Sequence, residues 1–320
     1  MSTEMLKKVR VRAPSSTSNL GPGFDVCGLA LDAFHDEVEV VVAGRNGIRI
    51  EIEGEGRETI SKNPEENTAG QTALEFKRRY SLSDIEIRLT KRIPPGRGLG
   101  SSGVSAAATA VAIDCLLNLH LDTLELVKIA MIGEQVASGT IHADDISPAL
   151  YGGFTIVQSY DPLRVVALPP PKNVLFALAV PQTLTKSTKG LRGDLPQTVP
   201  LKAAIGNVGS ASTLVAGIMS SNPKLIGQGM MGDQIVEPSR ISRFPVLGNV
   251  RKAALESGAC GVTISGAGPT MIAAVDPLLV KADTVAMAMS EEFEKMGISC
   301  RSCVARSTGP SHVIEKTRLD

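Results

Sequence analysis

The stretch Pro94-Pro95-Gly96-Arg97-Gly98-Leu99-Gly100-Ser101-Ser102-Gly103 constrains this chain more than any other. It joins an alternating run, Ile85-Glu86-Ile87-Arg88-Leu89, to a long segment from Gly103 to Leu119 that carries almost no charge. The first reads as a half-buried strand and the second as a buried helix. Glycine admits the positive φ angles that turn successive backbone N–H groups inward, and a helix start adds unpaired donors and the positive end of its dipole. A loop of this kind between strand and helix predicts a phosphate site, with Ser101 and Ser102 supplying hydroxyls.

It is not a Walker A loop, which ends in Gly-Lys-Ser/Thr, because the sequence has no Gly-Lys dipeptide. A second glycine pattern, Gly227-x-Gly229-x-x-Gly232, follows a helical stretch instead of a strand, and chance explains it better. The 33 basic and 33 acidic residues balance, and Trp is absent, which argues against nucleic acid as principal partner. The N-terminus lacks a secretory pattern, and the apolar run near Val104 to Ile113 stops at Asp114, short of membrane length. A cytoplasmic protein without membrane partners is the expectation. Five cysteines without a framework spacing fit a reducing compartment, and Cys300-x-x-Cys303 reads as buried thiols.

The 320 residues suffice for two domains, with the boundary placed near residue 160, giving 1–160 and 161–320. Runs at Lys7 to Ala13, Val38 to Val42 and Ile48 to Ile52 suggest an opening β meander, with a loop ending near Asp25 between the first two. Helices follow after Pro64, from about Ser101 and from Asp122, and Gly139 to Gly153 reads as a polar loop. The second half alternates strands and helices, for an α+β layout.

Three segments together resemble the GHMP family of small-molecule kinases: Ala13 to Asp25, Pro94 to Ser102, and Ser265-Gly266-Ala267-Gly268-Pro269. The resemblance implies a two-domain α+β fold, with an S5 domain 2-like N-terminal domain and a ferredoxin-like C-terminal domain, and ATP and substrate in the cleft between them. Within the family the homoserine kinase branch matches best, through Asn19, Asp25 and the run Ser138 to Gly153. The contexts around Arg192 and Arg240 resemble those that carry that branch's substrate-binding arginines. Family members are commonly dimers, so a homodimer is implied as well.

Homoserine offers a carboxylate, an ammonium group and a primary hydroxyl. The resemblance then implies that Arg192 and Arg240 grip the carboxylate, as planar guanidinium groups do well. Asp25 pairs with the ammonium group, Asn19 and His142 orient polar atoms near the reacting end, and Gly266 belongs to the substrate pocket. Pro95, Gly96, Arg97, Gly98, Leu99, Gly100, Ser101 and Ser102 hold the nucleotide phosphates, and Asn67 approaches base or ribose. Ser102 and Glu134 match the family's Mg²⁺ pair, and Met131, Ile132 and Val136 make an inward-facing Glu134 carboxylate reasonable.

Two positions depart from the pattern. Homoserine kinases usually carry Asn where this chain has Asp145, whereas the mevalonate and galactose branches place their catalytic aspartate there. Asp145 is therefore expected to accept or orient the substrate hydroxyl proton. Arg97 stands where a small residue is common: either it adds charge near the triphosphate or it points to solvent, and solvent is the favoured expectation. A mevalonate-type kinase is the alternative reading, and a non-catalytic nucleotide sensor a more remote one.

Overall fold

A computed structural model describes residues 6–44, 47–138, 142–184, 193 and 195–318. The first two strands, β1 (Leu6–Asn19) and β2 (Gly23–Val42), are longer than their apolar patterns suggest. Residues 14–19, read from sequence as part of a loop, continue β1 and pair with β2 as far as Asn19 opposite Gly23. The serines there hide the strand from a hydropathy reading because their hydroxyls meet polar partners. Ser15 donates to the Leu31 carbonyl at 3.0 Å, and Ser15, Ser16 and Thr17 are fully buried.

The opening is also not a meander. β3 (Ile48–Gly54) pairs in parallel with β4 (Ile85–Lys91) after a crossover through α1 (Thr68–Arg79). The sheet order runs β11 (His312–Arg318), β1, β2, β4, β3, and β5 (Phe154–Tyr160) and β6 (Leu163–Leu168) extend it from β2. A parallel pair needs a crossover connection, and an amphipathic helix between two short strands provides one. α2 (Ser101–Leu117) and α3 (Thr123–Ser138) pack with α1 against this sheet. Alanine-rich α2 is buried along almost its whole length, which its lack of charge before Asp114 allows. A short α4 (Ile146–Tyr151) interrupts the expected polar loop.

A second sheet takes the order β10 (Cys300–Ala305), β7 (Leu175–Pro181), β9 (Met271–Val275), β8 (Gly261–Ile264), antiparallel throughout. α5 (Leu201–Ser220), α6 (Pro223–Met230), α7 (Glu237–Arg243), α8 (Val246–Glu256) and α9 (Ala282–Lys295) complete the chain. α8 and α9 pack on each other and on this sheet around a core that includes Leu247, Val250, Met289 and Phe293. The chain then returns, and β11 closes the edge of the first sheet beside β1. The α+β layout is borne out.

Gly227 and Gly229 lie in α6, where a Cβ would stand 2.2 Å from Cys260 and 2.5 Å from Leu214 backbone atoms. They serve close packing and not phosphate, as the missing strand implied. α5, and not the run at Val104 to Ile113, is the helix among the described residues long and apolar enough to cross a membrane by length and composition. Leu201, Ile205, Val208 and Met219 are exposed along it. Burial pushes the Cys300 and Cys303 thiols up to about 11, in keeping with inert thiols.

Candidate active site

The phosphate loop runs from the end of β4 into α2. Gly96, Gly98 and Gly100 all have positive φ, at 68°, 74° and 71°. Gly100 is the cap residue of α2, and no side chain caps that helix start. The first-turn N–H groups of a helix have no partners within it, so this end offers donors and a positive potential. Pro95, Gly96, Gly98, Leu99, Gly100, Ser101 and Ser102 line one cleft of about 570 Å³.

Two further elements pin this loop. The Ser16 amide donates to the Leu99 carbonyl at 3.2 Å, and Ser265 Oγ donates to the Gly98 carbonyl at 2.6 Å. A Cβ at Gly98 would fall 2.0 Å from the Ser265 carbonyl oxygen, so only glycine fits between the halves there.

Glu134, on α3, is buried and faces the loop. Ser102 Oγ donates to its Oε1 at 2.7 Å. Burial raises the Glu134 carboxyl to about 8, Asp145 adds to the rise, and Ser102 and Lys91 act against it. Asp145 stands at the start of α4, where its Oδ1 accepts from Ser16 Oγ at 3.1 Å. Its carboxyl is raised to about 6, chiefly by burial and further by Asp25, while bonds from Ser16 and Ser18 oppose the shift. The same Oδ1 lies 3.2 Å from where a Cβ on Gly100 would sit, so Asp145 abuts the helix start.

At the other end of the cleft, Asn19 takes a left-handed backbone, with φ 70°, at the tip of the β1–β2 turn. Its Nδ2 donates to the Gly266 carbonyl at 2.9 Å, and its Oδ1 accepts from the Asp25 amide at 3.0 Å. Arg240 Nη1 donates to the same Gly266 carbonyl, and its guanidinium lies 5.5 Å from the centre of the Phe24 ring. Asp25 Oδ1 and His142 Nδ1 are 3.6 Å apart, and with Asp144 they form a close acidic cluster suited to a cation. Arg192 lies outside the described residues.

Asn67 caps α1, accepting from the Ala69 amide at 2.9 Å, and also borders the cleft. Arg97 corrects the sequence reading: it is 9% exposed and reaches away to the carbonyls of Gln182 and Leu184 instead of solvent.

Sequence reasoning missed Ser16, Ser18, Asp144 and Lys91. Lys91 shares the buried face of β4 with Ile85, Ile87 and Leu89, and that two-residue phase was the available signal. Its ammonium pairs with Asp36 and donates at 2.8 Å to both the Ser101 carbonyl and Ser105 Oγ. Asp36 in turn accepts from the Arg92 and Ile93 amides at 2.7 and 2.9 Å. A buried pair with these extra bonds fastens the strand leading into the loop to the helix leaving it.

The family description GHMP kinases N terminal domain matches residues 67–153, and GHMP kinases C terminal matches residues 214–295. Homoserine kinase of Methanococcus vannielii is 42% identical over 269 residues, 84% of this chain and 88% of that protein. Homoserine kinase of Thermoplasma acidophilum is 39% identical over 308 residues, 96% of each. The crystal structure of homoserine kinase from Cytophaga hutchinsonii aligns with a TM-score of 0.90 at 36% identity, covering 98% of this chain and 99% of that one. Mevalonate kinase of L. major, in complex with R-mevalonate, aligns with a TM-score of 0.72 at 17% identity, a likeness of fold alone.

Proposed function

This chain belongs to the GHMP kinase family, and from that premise we infer that it is a homoserine kinase, transferring the γ-phosphoryl group of ATP to the hydroxyl of L-homoserine. The observation that carries the reading is the convergence, on one cleft, of an uncapped helix start, a hydroxyl–carboxylate pair, a raised carboxyl and a buried arginine.

Phosphoryl transfer leaves the protein chiefly positioning and charge neutralisation to perform. The glycine loop and the first turn of α2 hold the triphosphate through main-chain donors. A Ser hydroxyl and a buried carboxylate beside that turn suit Mg²⁺, which takes few protein oxygens and keeps several waters. Ser102 and Glu134 would hold it, and the ion supplies neutralisation of the charge on the β- and γ-phosphates. Arg240 takes the homoserine carboxylate, Asp25 with His142 the ammonium group, and Asn19 keeps the turn between them and Gly266 in place.

Asp145 accepts the proton of the attacking hydroxyl. A carboxyl raised to about 6 is still ionised near neutral pH and is a stronger base than an exposed aspartate. Its hold by Ser16, on β1, aims it from one side of the α2 start.

A coupled ADP-release assay with Mg²⁺-ATP and a panel of hydroxyl acceptors tests the reading. Homoserine is expected to turn over fastest. Faster turnover of mevalonate, which has no amino group, would move the chain to another branch, and ATP binding without any phosphorylated product would make it a sensor.

A further inference from the structure

Arg97 is the one long polar side chain inside a loop otherwise built of glycine, proline and leucine, and it does not turn toward the cleft. Its Nη1 donates to the Leu184 carbonyl at 2.7 Å, and its Nη2 donates to the Gln182 carbonyl. Both acceptors follow directly on β7, and Gln182 is itself held to the second sheet, its amide donating to the Ser299 carbonyl at 2.7 Å. Guanidinium stays charged in proteins, so its burial here is supported by these two carbonyls and by the charge of Glu55.

The neighbouring residue is attached elsewhere on the same sheet. The Gly98 carbonyl accepts from Ser265 Oγ, just past β8, and β7 and β8 both flank β9. Consecutive residues of the phosphate loop are therefore fastened to two separate strand ends of one rigid sheet. Beside the Ser16 bond that ties the loop to β1, a single attachment to the second sheet leaves a pivot relative to that sheet, whereas two fix the angle. Gly266 and Arg240, at the substrate end of the cleft, belong to that same half of the molecule.

We propose that Arg97 is a positioning residue: its two hydrogen bonds to the segment following β7 stop the phosphate loop from pivoting about Ser265 relative to the second sheet, and so fix the aim of the bound phosphates at the acceptor held by the other half. The inference rests on the kinase reading for its catalytic consequence, though the attachment itself does not. Arg97 then acts on transfer without touching nucleotide.

R97A and R97K are compared with the wild type by steady-state kinetics, by calorimetric binding of a non-hydrolysable ATP analogue with Mg²⁺, and by hydrogen–deuterium exchange. In R97A, kcat falls on the order of tenfold to a hundredfold, the size expected for losing bonds to a charged donor, and the homoserine KM rises. Analogue affinity stays close to wild type, and exchange rises together in residues 95–100 and 175–184. R97K, whose ammonium reaches one carbonyl at a time, recovers part of kcat, and it carries the test by itself if R97A does not fold. A loss of analogue affinity that accounts for the whole loss of kcat/KM, or unchanged exchange at 175–184, overturns the proposal. If wild-type protein ignores homoserine, the proposed activity falls, and the exchange comparison still decides the attachment.

Discussion

Ser102 Oγ donates a 2.7 Å hydrogen bond to Glu134 Oε1, linking the first turn of α2 to a carboxylate on α3 that is 32 residues away in sequence and almost fully buried. Burial favours the protonated acid, and the Ser102 bond offsets part of that by stabilising the carboxylate. With Mg²⁺ both oxygens would become ligands.

S102A and E134Q are each expected to lower kcat by about a hundredfold or more, because the charge on the transferring group loses its neutralising partner. The check is a Mg²⁺ titration of turnover: both variants should need more metal for half-maximal rate. Unchanged metal dependence would leave the pair as structural.

D145N keeps the shape of the side chain and removes the proton acceptor. Turnover with homoserine should fall by about a hundredfold to ten-thousandfold while the KM for ATP changes little. The acidic limb of the wild-type kcat profile, set by a group near 6, should disappear in the variant. A loss of only a few-fold would make Asp145 a polar spacer.

Glu134 and Asp145 also predict how the apoprotein responds to pH. Folding raises both carboxyls, to about 8 and about 6, mainly by burial. Between the unfolded values near about 4 and these, the folded chain holds more protons than the unfolded one, so this contribution is complete at low pH and declines as pH rises. Melting without metal or nucleotide should therefore be compared from about pH 5 to about pH 8 in wild type and E134Q. The wild type should lose more Tm over that range, and equal slopes would refute the assignment.

G96A and G98A separate backbone conformation from packing. Both glycines have positive φ, but a Cβ at Gly96 meets open space, whereas one at Gly98 collides with Ser265. G96A should cost about 1 kcal/mol, the left-handed penalty, and G98A appreciably more. Urea denaturation of the two variants reads the difference, and equal midpoints would contradict the contact.

K91M leaves Asp36 buried without its cation, a change worth about 3–5 kcal/mol. The double variant D36N/K91M should recover part of that stability, as measured by the same denaturation curves. A K91M protein as stable as wild type would show that the pair contributes little.

Much of the phosphate loop was legible because its physics is local. Glycine spacing, the strand before it and the apolar helix after it lie within one continuous segment, and each sets backbone geometry without help from distant residues. Glu134 came from the family resemblance, and its apolar helix neighbours only made an inward-facing carboxylate reasonable. Residues 14–19 misled for the opposite reason. A strand whose Ser15, Ser16 and Thr17 hydroxyls bond to Leu31, Asp145 and Ser265 shows no apolar alternation, because its partners are polar and remote. Arg97 misled likewise, since nothing near it in sequence announces two carbonyls more than eighty residues ahead.

The sequence by itself determined the elements whose cause is short-ranged: a glycine turn that must take positive φ, an uncharged helix that must be buried, and a loop between them open to an anion. Only the tertiary structure decided where charge would sit. A carboxyl rises to about 8, and a lysine stays buried beside an aspartate, through the loss of water and the approach of groups from other elements. Those distances are set when β2, β4, α2 and α3 pack together in the first half of the chain, and a linear reading has no access to them.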